Sequence, residues 1–65
     1  MRPFRVILIE QEENRTTTFV MPFARAPDNG STVELPKGQL ILVRHVLSAE
    51  ADGLAGIVIA VPAQT

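Results

Sequence analysis

Residues 39–47 are Gln-Leu-Ile-Leu-Val-Arg-His-Val-Leu, and two similar apolar stretches are Val6-Ile7-Leu8-Ile9 and Ile57-Val58-Ile59. Branched apolar residues favour extended structure, so each stretch predicts a β-strand. Alternate side chains of a strand point to opposite faces of the sheet. A sheet with one face in water therefore alternates apolar and polar residues. Leu40–Val43 within the first stretch, and the whole of the other two, are apolar in both alternations, which indicates that both faces of their strands need cover.

The whole chain predicts an all-β fold, a small antiparallel barrel or sandwich of four to five strands. The expected strands are Phe4–Ile9, Arg15–Met21, Thr32–Leu35, Gln39–Leu47 and Leu54–Val61. Pro22 should end a ladder or lie at a sheet edge, because proline has no N–H to donate. Residues 26–31 combine Pro, Asp, Asn and Gly as tight turns do. Residues 48–53 predict a turn with at most one turn of helix.

The strand 39–47 also predicts which side chains share a face. Strict alternation places one set on one face, Leu40, Leu42 and Val46, and the other set on the opposite face, Ile41, Val43 and Leu47. The same rule separates Arg44 from His45, so these two polar side chains are expected on opposite faces.

Length and composition limit the architecture and point to self-association. The chain has 65 residues, a formal charge of −1 and no cysteine, which predicts a single small β domain over residues 1–65 and excludes a disulfide scaffold. Cores below roughly 70 to 80 residues are marginal and usually need a disulfide, a metal or a partner subunit. No helix is predicted that would cover the outer sheet face. A homo-oligomer is expected, packed face to face or edge to edge; a monomeric barrel that curls around its own apolar side chains is the alternative.

No catalytic or metal-binding arrangement is predicted. Ser48, His45 and Asp52 lie close in sequence, but catalytic triads are defined by geometry and not by proximity along the chain. The acidic residues Glu10, Glu12 and Glu13 lack the spacing of a calcium loop, and a solvated hairpin tip is the preferred interpretation. The protein is therefore expected to be non-enzymatic, with no cofactor and no metal site.

The favoured functional hypothesis is a binding module whose ligand or partner sits where copies of the chain meet. The partners it predicts are the chain itself and a small ligand. The candidate ligand or interface residues are Arg44, His45, Arg25 and Asp28. Arg44 lies within an apolar strand, so it is expected to pair with a carboxylate across an interface.

The alternative hypothesis is an RNA- or DNA-binding oligomer. Arginine binds phosphate and stacks on bases, and an oligomer would repeat the arginines of the first hairpin region in every copy. The candidate residues are Arg2, Arg5, Arg15 and Lys37. The slightly acidic net charge and the absence of Tyr and Trp argue against this hypothesis.

Targeting signals favour a cytoplasmic protein with no membrane association. The basic start is followed by an apolar run of only four residues, Val6 to Ile9. A signal peptide needs about 7 to 15 apolar residues, and a membrane span needs about 18.

The segment Leu35-Pro36-Lys37-Gly38-Gln39, which leads into the strand Leu40–Val43, resembles the trp RNA-binding attenuation protein family. A spacer of matching length then leads to Gly56 and an apolar strand, and the upstream hairpin followed by Ala26-Pro27-Asp28 falls in register. The resemblance implies a small all-β subunit that builds rings by joining sheets edge to edge.

The family's ligands are not implied, because the matching positions differ. Its RNA-contacting basic residues would fall on Glu34, Gly53 and Ala55, none of which is basic. Its tryptophan pocket, rich in Thr and His, would fall around residues 23–31 and 44–50, where only His45 and Ser48 suit that role. The resemblance therefore concerns fold and assembly alone.

Overall fold

The protein is described by a computed structural model over residues 1–48 and 53–63. Within these residues it forms five strands and no helix: β1 (Arg2–Glu10), β2 (Arg15–Phe23), β3 (Thr32–Glu34), β4 (Leu40–Leu47) and β5 (Gly56–Pro62). The all-β prediction is confirmed, with strand bounds that differ by up to two residues from those expected. The turn predicted over residues 48–53 includes residues 49–52, which lie outside the described part.

The strands form a single curled sheet, a half-barrel, in the order β2-β1-β5-β4-β3. Three of its pairings are antiparallel, but β1 and β5 run parallel, with Phe4 beside Gly56 and Leu8 beside Ala60. The expectation of a wholly antiparallel sheet is therefore wrong for this pair. The last strand enters between β1 and β4 instead of extending an edge. Central strands are the most enclosed, and the apolar composition of β5 matches that position.

The β1–β2 hairpin is in register from Arg2 opposite Phe23 to Glu10 opposite Arg15. Its tip, residues 10–15, turns over residues 11–14, where the Asn14 N–H donates to the Gln11 carbonyl at 3.1 Å. As predicted, Pro22 lies at a sheet edge, because β2 is the outermost strand on its side.

The core lies on the inner, concave face of the sheet. Seven side chains there are at most 3% exposed: Phe4, Val6, Leu8, Ile41, Val43, Val58 and Ala60. The ring of Phe23 meets that of Phe4 edge to face, with centroids 5.4 Å apart, and closes one end. The small residues of β5 lie on this same face, where they leave room for the larger side chains of β1 and β4.

A β-bulge in β4 changes which side chains reach the core. Val43 pairs with Ala60 and His45 pairs with Ile59, so Arg44 is an extra residue opposite no partner on β5. The extra residue reverses the alternation beyond it. Val46 consequently packs against the core, whereas Leu47 is 49% exposed. The face predicted for Val46 and Leu47 is therefore wrong, because strict alternation cannot anticipate an inserted residue.

The described part of the chain contains no helix with the length and apolar character of a membrane span.

Candidate functional site

The outer face of the sheet carries a second apolar surface. Cross-strand pairing aligns Ile7 with Ile59 and Leu42 with Val61 on this face. Three further apolar side chains are more exposed, at 57%, 40% and 49%: Val20, Leu40 and Leu47. The described elements form one sheet, so no second layer of strands or helices lies over this face. The expectation that β1, β4 and β5 are apolar on both faces thus corresponds to a core on one side and an uncovered surface on the other.

One end of the outer face deepens into a groove of about 880 Å3. Its floor is apolar and comes from three strands, through Ile9, Leu42, Ile59 and Val61. Residues 10–13 of the hairpin tip form one wall, and Arg44 and His45 lie on the other. The groove therefore has an apolar floor between an acidic wall and a basic wall.

The β4 bulge builds the basic wall. Arg44 and His45 were expected on opposite faces, but both line the same groove. Two consecutive residues can share a face where one of them has no partner on the neighbouring strand. Both side chains are exposed, and Arg44 makes no ion pair or hydrogen bond with any residue that the structure describes. Its expected carboxylate partner across an interface remains a prediction.

The acidic wall has its own internal pairing. Arg15 bonds Glu10 through two nitrogens, at 3.3 and 3.2 Å, and Glu13 at 2.6 Å. The hydrogen bonds that Arg15 donates to Glu10, followed by the charges of Glu10 and Glu13, raise the pKa of Arg15. Because the folded state favours the charged guanidinium, this contribution to stability is lost as the pH rises through the raised pKa, in strong alkali. Three carboxylates and one guanidinium leave the tip with a formal charge of −2.

The other two candidate interface residues lie in the loop between β2 and β3. The Asp28 carbonyl accepts bonds from the Ser31 N–H at 3.1 Å and the Ser31 hydroxyl at 2.6 Å. Gly30 and Ser31 in turn bond the backbone of Val43, which ties the end of this loop to β4. Neither Arg25 nor Asp28 lines the groove. The structure therefore brings together Arg44 and His45 but not the other two.

The candidate nucleic-acid residues are dispersed. Arg2 and Arg15 lie at opposite ends of the hairpin, roughly 25 Å apart at the usual rise per strand residue. Arg5 pairs with Ile57 near the middle of the sheet, and Lys37 lies in the turn after β3. Arg15 is already held by two carboxylates. These residues do not form one basic patch.

No catalytic or metal-binding cluster is found in the part of the chain that the structure describes. His45 has no hydrogen-bonded hydroxyl or carboxylate there, and Asp52 of the considered triad lies outside it. Within residues 1–48 and 53–63, no three His, Asp or Glu side chains are placed to hold a metal ion.

The apolar floor is the part of the site that sequence reasoning missed. Its residues were recognised as an apolar excess, but their convergence into one groove depends on the register between β1, β5 and β4. The order of strands in the sheet, which a single sequence does not reveal, sets that register.

Comparisons with protein families, with curated proteins and with solved structures find no match to this chain. The resemblance to the trp RNA-binding attenuation protein family, and the ring assembly it implies, stay predictions.

Proposed function

We propose that this protein is a non-enzymatic binding module that acts as a homo-oligomer and binds a partner or small ligand where its copies meet. The observation that carries this proposal is the apolar outer face of the sheet. On a monomer, a contiguous apolar surface of several hundred Å2 is unusual and marks an interaction site. A second copy carries the same apolar face and is present wherever the protein is made, so it is the simplest partner.

The size of the outer face suits a stable interface. The five strands contain 36 residues, which at about 3.3 by 4.8 Å each present roughly 600 Å2 in projection. Stable interfaces bury about 800 Å2 on each partner. Contacts from the hairpin tip and from the groove walls would supply the remainder.

The free edges of the sheet offer a second route to assembly. β2 and β3 are the outermost strands, and the nine residues of β2 present unpaired backbone groups along one side. Long exposed edges favour pairing with another chain. Edge pairing would extend the sheet, as the family resemblance implies, and it is compatible with face-to-face packing in a larger assembly.

Light scattering after gel filtration tests the proposal. A homo-oligomer gives a mass that is a multiple of 7.1 kDa at micromolar concentration. A mass of 7.1 kDa across the accessible concentration range would remove the proposal, because the outer face would then be stable in water.

The alternative is binding of RNA or DNA by arginines that an oligomer repeats. The exposed positions of Arg5 and Arg44 on the outer side favour it, since each copy would add both. Affinity would then fall steeply as salt rises, because bound phosphates release counterions. Absence of binding to mixed-sequence oligonucleotides at low salt would dismiss this alternative.

A further inference from the structure

We infer that the groove receives the hairpin tip of a second copy, so that Arg44 and His45 of each chain pair with the acidic tip of the other around a two-fold axis. The inference rests on the self-association proposed above and specifies the surface that mediates it. The tip is residues 10–15, and the groove is bounded by that tip, the apolar floor and the Arg44–His45 wall.

The acidic wall of the groove in one copy is complementary in charge to the basic wall in a second copy. The tip carries a formal −2, and the opposite wall carries Arg44 beside His45. In a two-fold interface, residue i of one copy contacts residue j of the other, and j contacts i. A two-fold axis that runs parallel to the groove, in the plane where the two outer faces meet, therefore places each acidic wall against a basic wall and each apolar floor against its equivalent.

A small ion fits this groove less well than a second copy does. An anion bound at Arg44 would face the carboxylates of Glu12 and Glu13 across the floor, and a cation bound at the tip would face Arg44. The occupant must present positive charge to the acidic wall and negative charge to the basic wall, with an apolar surface between them. The outer face of this same chain has that arrangement.

Among the residues that the structure describes, no ion pair links Arg44 to a carboxylate of the tip. Glu10 and Glu13 bond Arg15 on their own hairpin, and Arg44 pairs with none of the described carboxylates. The bulge directs both Arg44 and His45 into the groove, although it interrupts the ladder between β4 and β5. In the inferred dimer, the bulge places Arg44 and His45 where they contact the acidic tip of the second copy.

Charge reversal in separate chains tests this geometry. Arg44→Glu and Glu12→Arg each place like charges across both halves of a two-fold interface, so each variant alone is expected to raise the dissociation constant at least tenfold. Glu12 is chosen because it is exposed and its replacement leaves the bonds of Arg15 to Glu10 and Glu13 in place. In an equimolar mixture, a heterodimer regains one native and one reversed pair, and its affinity should return to within about threefold of wild type.

The control is Arg25→Glu, which makes the same charge change on an exposed loop residue outside the groove. It should leave the dissociation constant unchanged. Circular dichroism of each variant confirms that the sheet is intact, which is expected because all three side chains are exposed.

The outcomes separate this inference from the proposed function. A wild-type protein that associates, with Arg44→Glu and Glu12→Arg equally associated, overturns the tip-in-groove geometry and leaves self-association standing. Two dissociated variants that do not recombine on mixing also overturn it, because net charge would then explain the loss. A monomeric wild type overturns both.

Discussion

Gly56 is the glycine of the described residues at which an added Cβ would meet close neighbours. A Cβ at this residue would lie 2.5 Å from the Leu47 carbonyl oxygen and 3.0 Å from Cε2 of Phe4. The need for glycine therefore arises from β4 and β1, which are distant in sequence. In the sequence, Gly56 is only a small residue that alternation places on the same face of the last strand as Val58 and Ala60.

Gly56→Ala is expected to cost about 3 kcal/mol of folding free energy, because a backbone oxygen cannot move aside as a flexible side chain could. Gly38→Ala is the matched control. Gly38 has a φ of 90° but no atom within 4 Å of the added Cβ, so it should lose only about 1 kcal/mol to backbone strain. Urea unfolding at one fixed protein concentration measures both. A Gly56→Ala loss no larger than that of Gly38→Ala would contradict the crowding.

Arg44 and His45 show how far a single sequence identifies the candidate site. Charged and polar residues inside an apolar strand are conspicuous, and this singled out both positions as candidates. Their shared location was not predictable from alternation, which separates neighbours onto opposite faces. Pairing with β5 makes Arg44 the extra residue, and that pairing is a long-range property of the sheet.

The strand β4 illustrates the same limit for a whole element. Its existence and approximate bounds follow from nine residues of strand-forming composition, but Val46 and Leu47 are both apolar, so hydrophobicity cannot tell which one faces inward. The bulge settles the choice in favour of Val46, which packs on the core.

Val46→Asp should cost about 3 kcal/mol of folding free energy, since it places a carboxylate against the apolar core. Leu47→Asp, one residue further along the strand, should cost under about 1 kcal/mol. Chemical denaturation is compared at a concentration where light scattering finds both variants monomeric, so that association does not enter. The reverse ranking would mean that β4 alternates without a bulge.

The hairpin tip depends on one residue with an unusual backbone conformation. Asn14 has a φ of 51°, in the left-handed region that Asn and Gly tolerate and branched residues avoid. Asn14→Val should lower the free energy of unfolding by about 2 kcal/mol, which means a less stable protein. Asn14→Gly should change the free energy of unfolding by less than about 1 kcal/mol. Thermal and urea unfolding measure the stability of the two variants. Equal losses of stability would contradict the claim that the positive φ of residue 14 limits which side chains it accepts.

The parallel pairing of β1 and β5 is the feature of the sheet that local patterns could not supply. The hairpin β1–β2 follows from two strands and a four-residue polar tip, but β5 is separated from β1 by three strands along the chain. Its double-sided apolar composition indicates a central position without indicating a neighbour or a direction. Strand order was the missing information, both for the fold and for the floor of the groove.

At the scale of the whole molecule, one layer of sheet must provide two apolar surfaces. The inner face is filled by seven buried side chains, and the outer face has no second layer among the described elements. A chain of this size buries only about 60% of the surface that its unfolded form exposes. Covering the outer face with another copy adds the burial that a small single-layer domain lacks.

Sedimentation equilibrium of wild-type protein beside Ile59→Glu tests the central claim most directly. Ile59 lies on the floor of the groove, on the outer face and outside the buried core, so the variant should keep its sheet by circular dichroism. The account predicts a wild-type mass that is a multiple of 7.1 kDa and a variant that sediments as a single chain. Equal masses for the two proteins would contradict an interface built on the outer face.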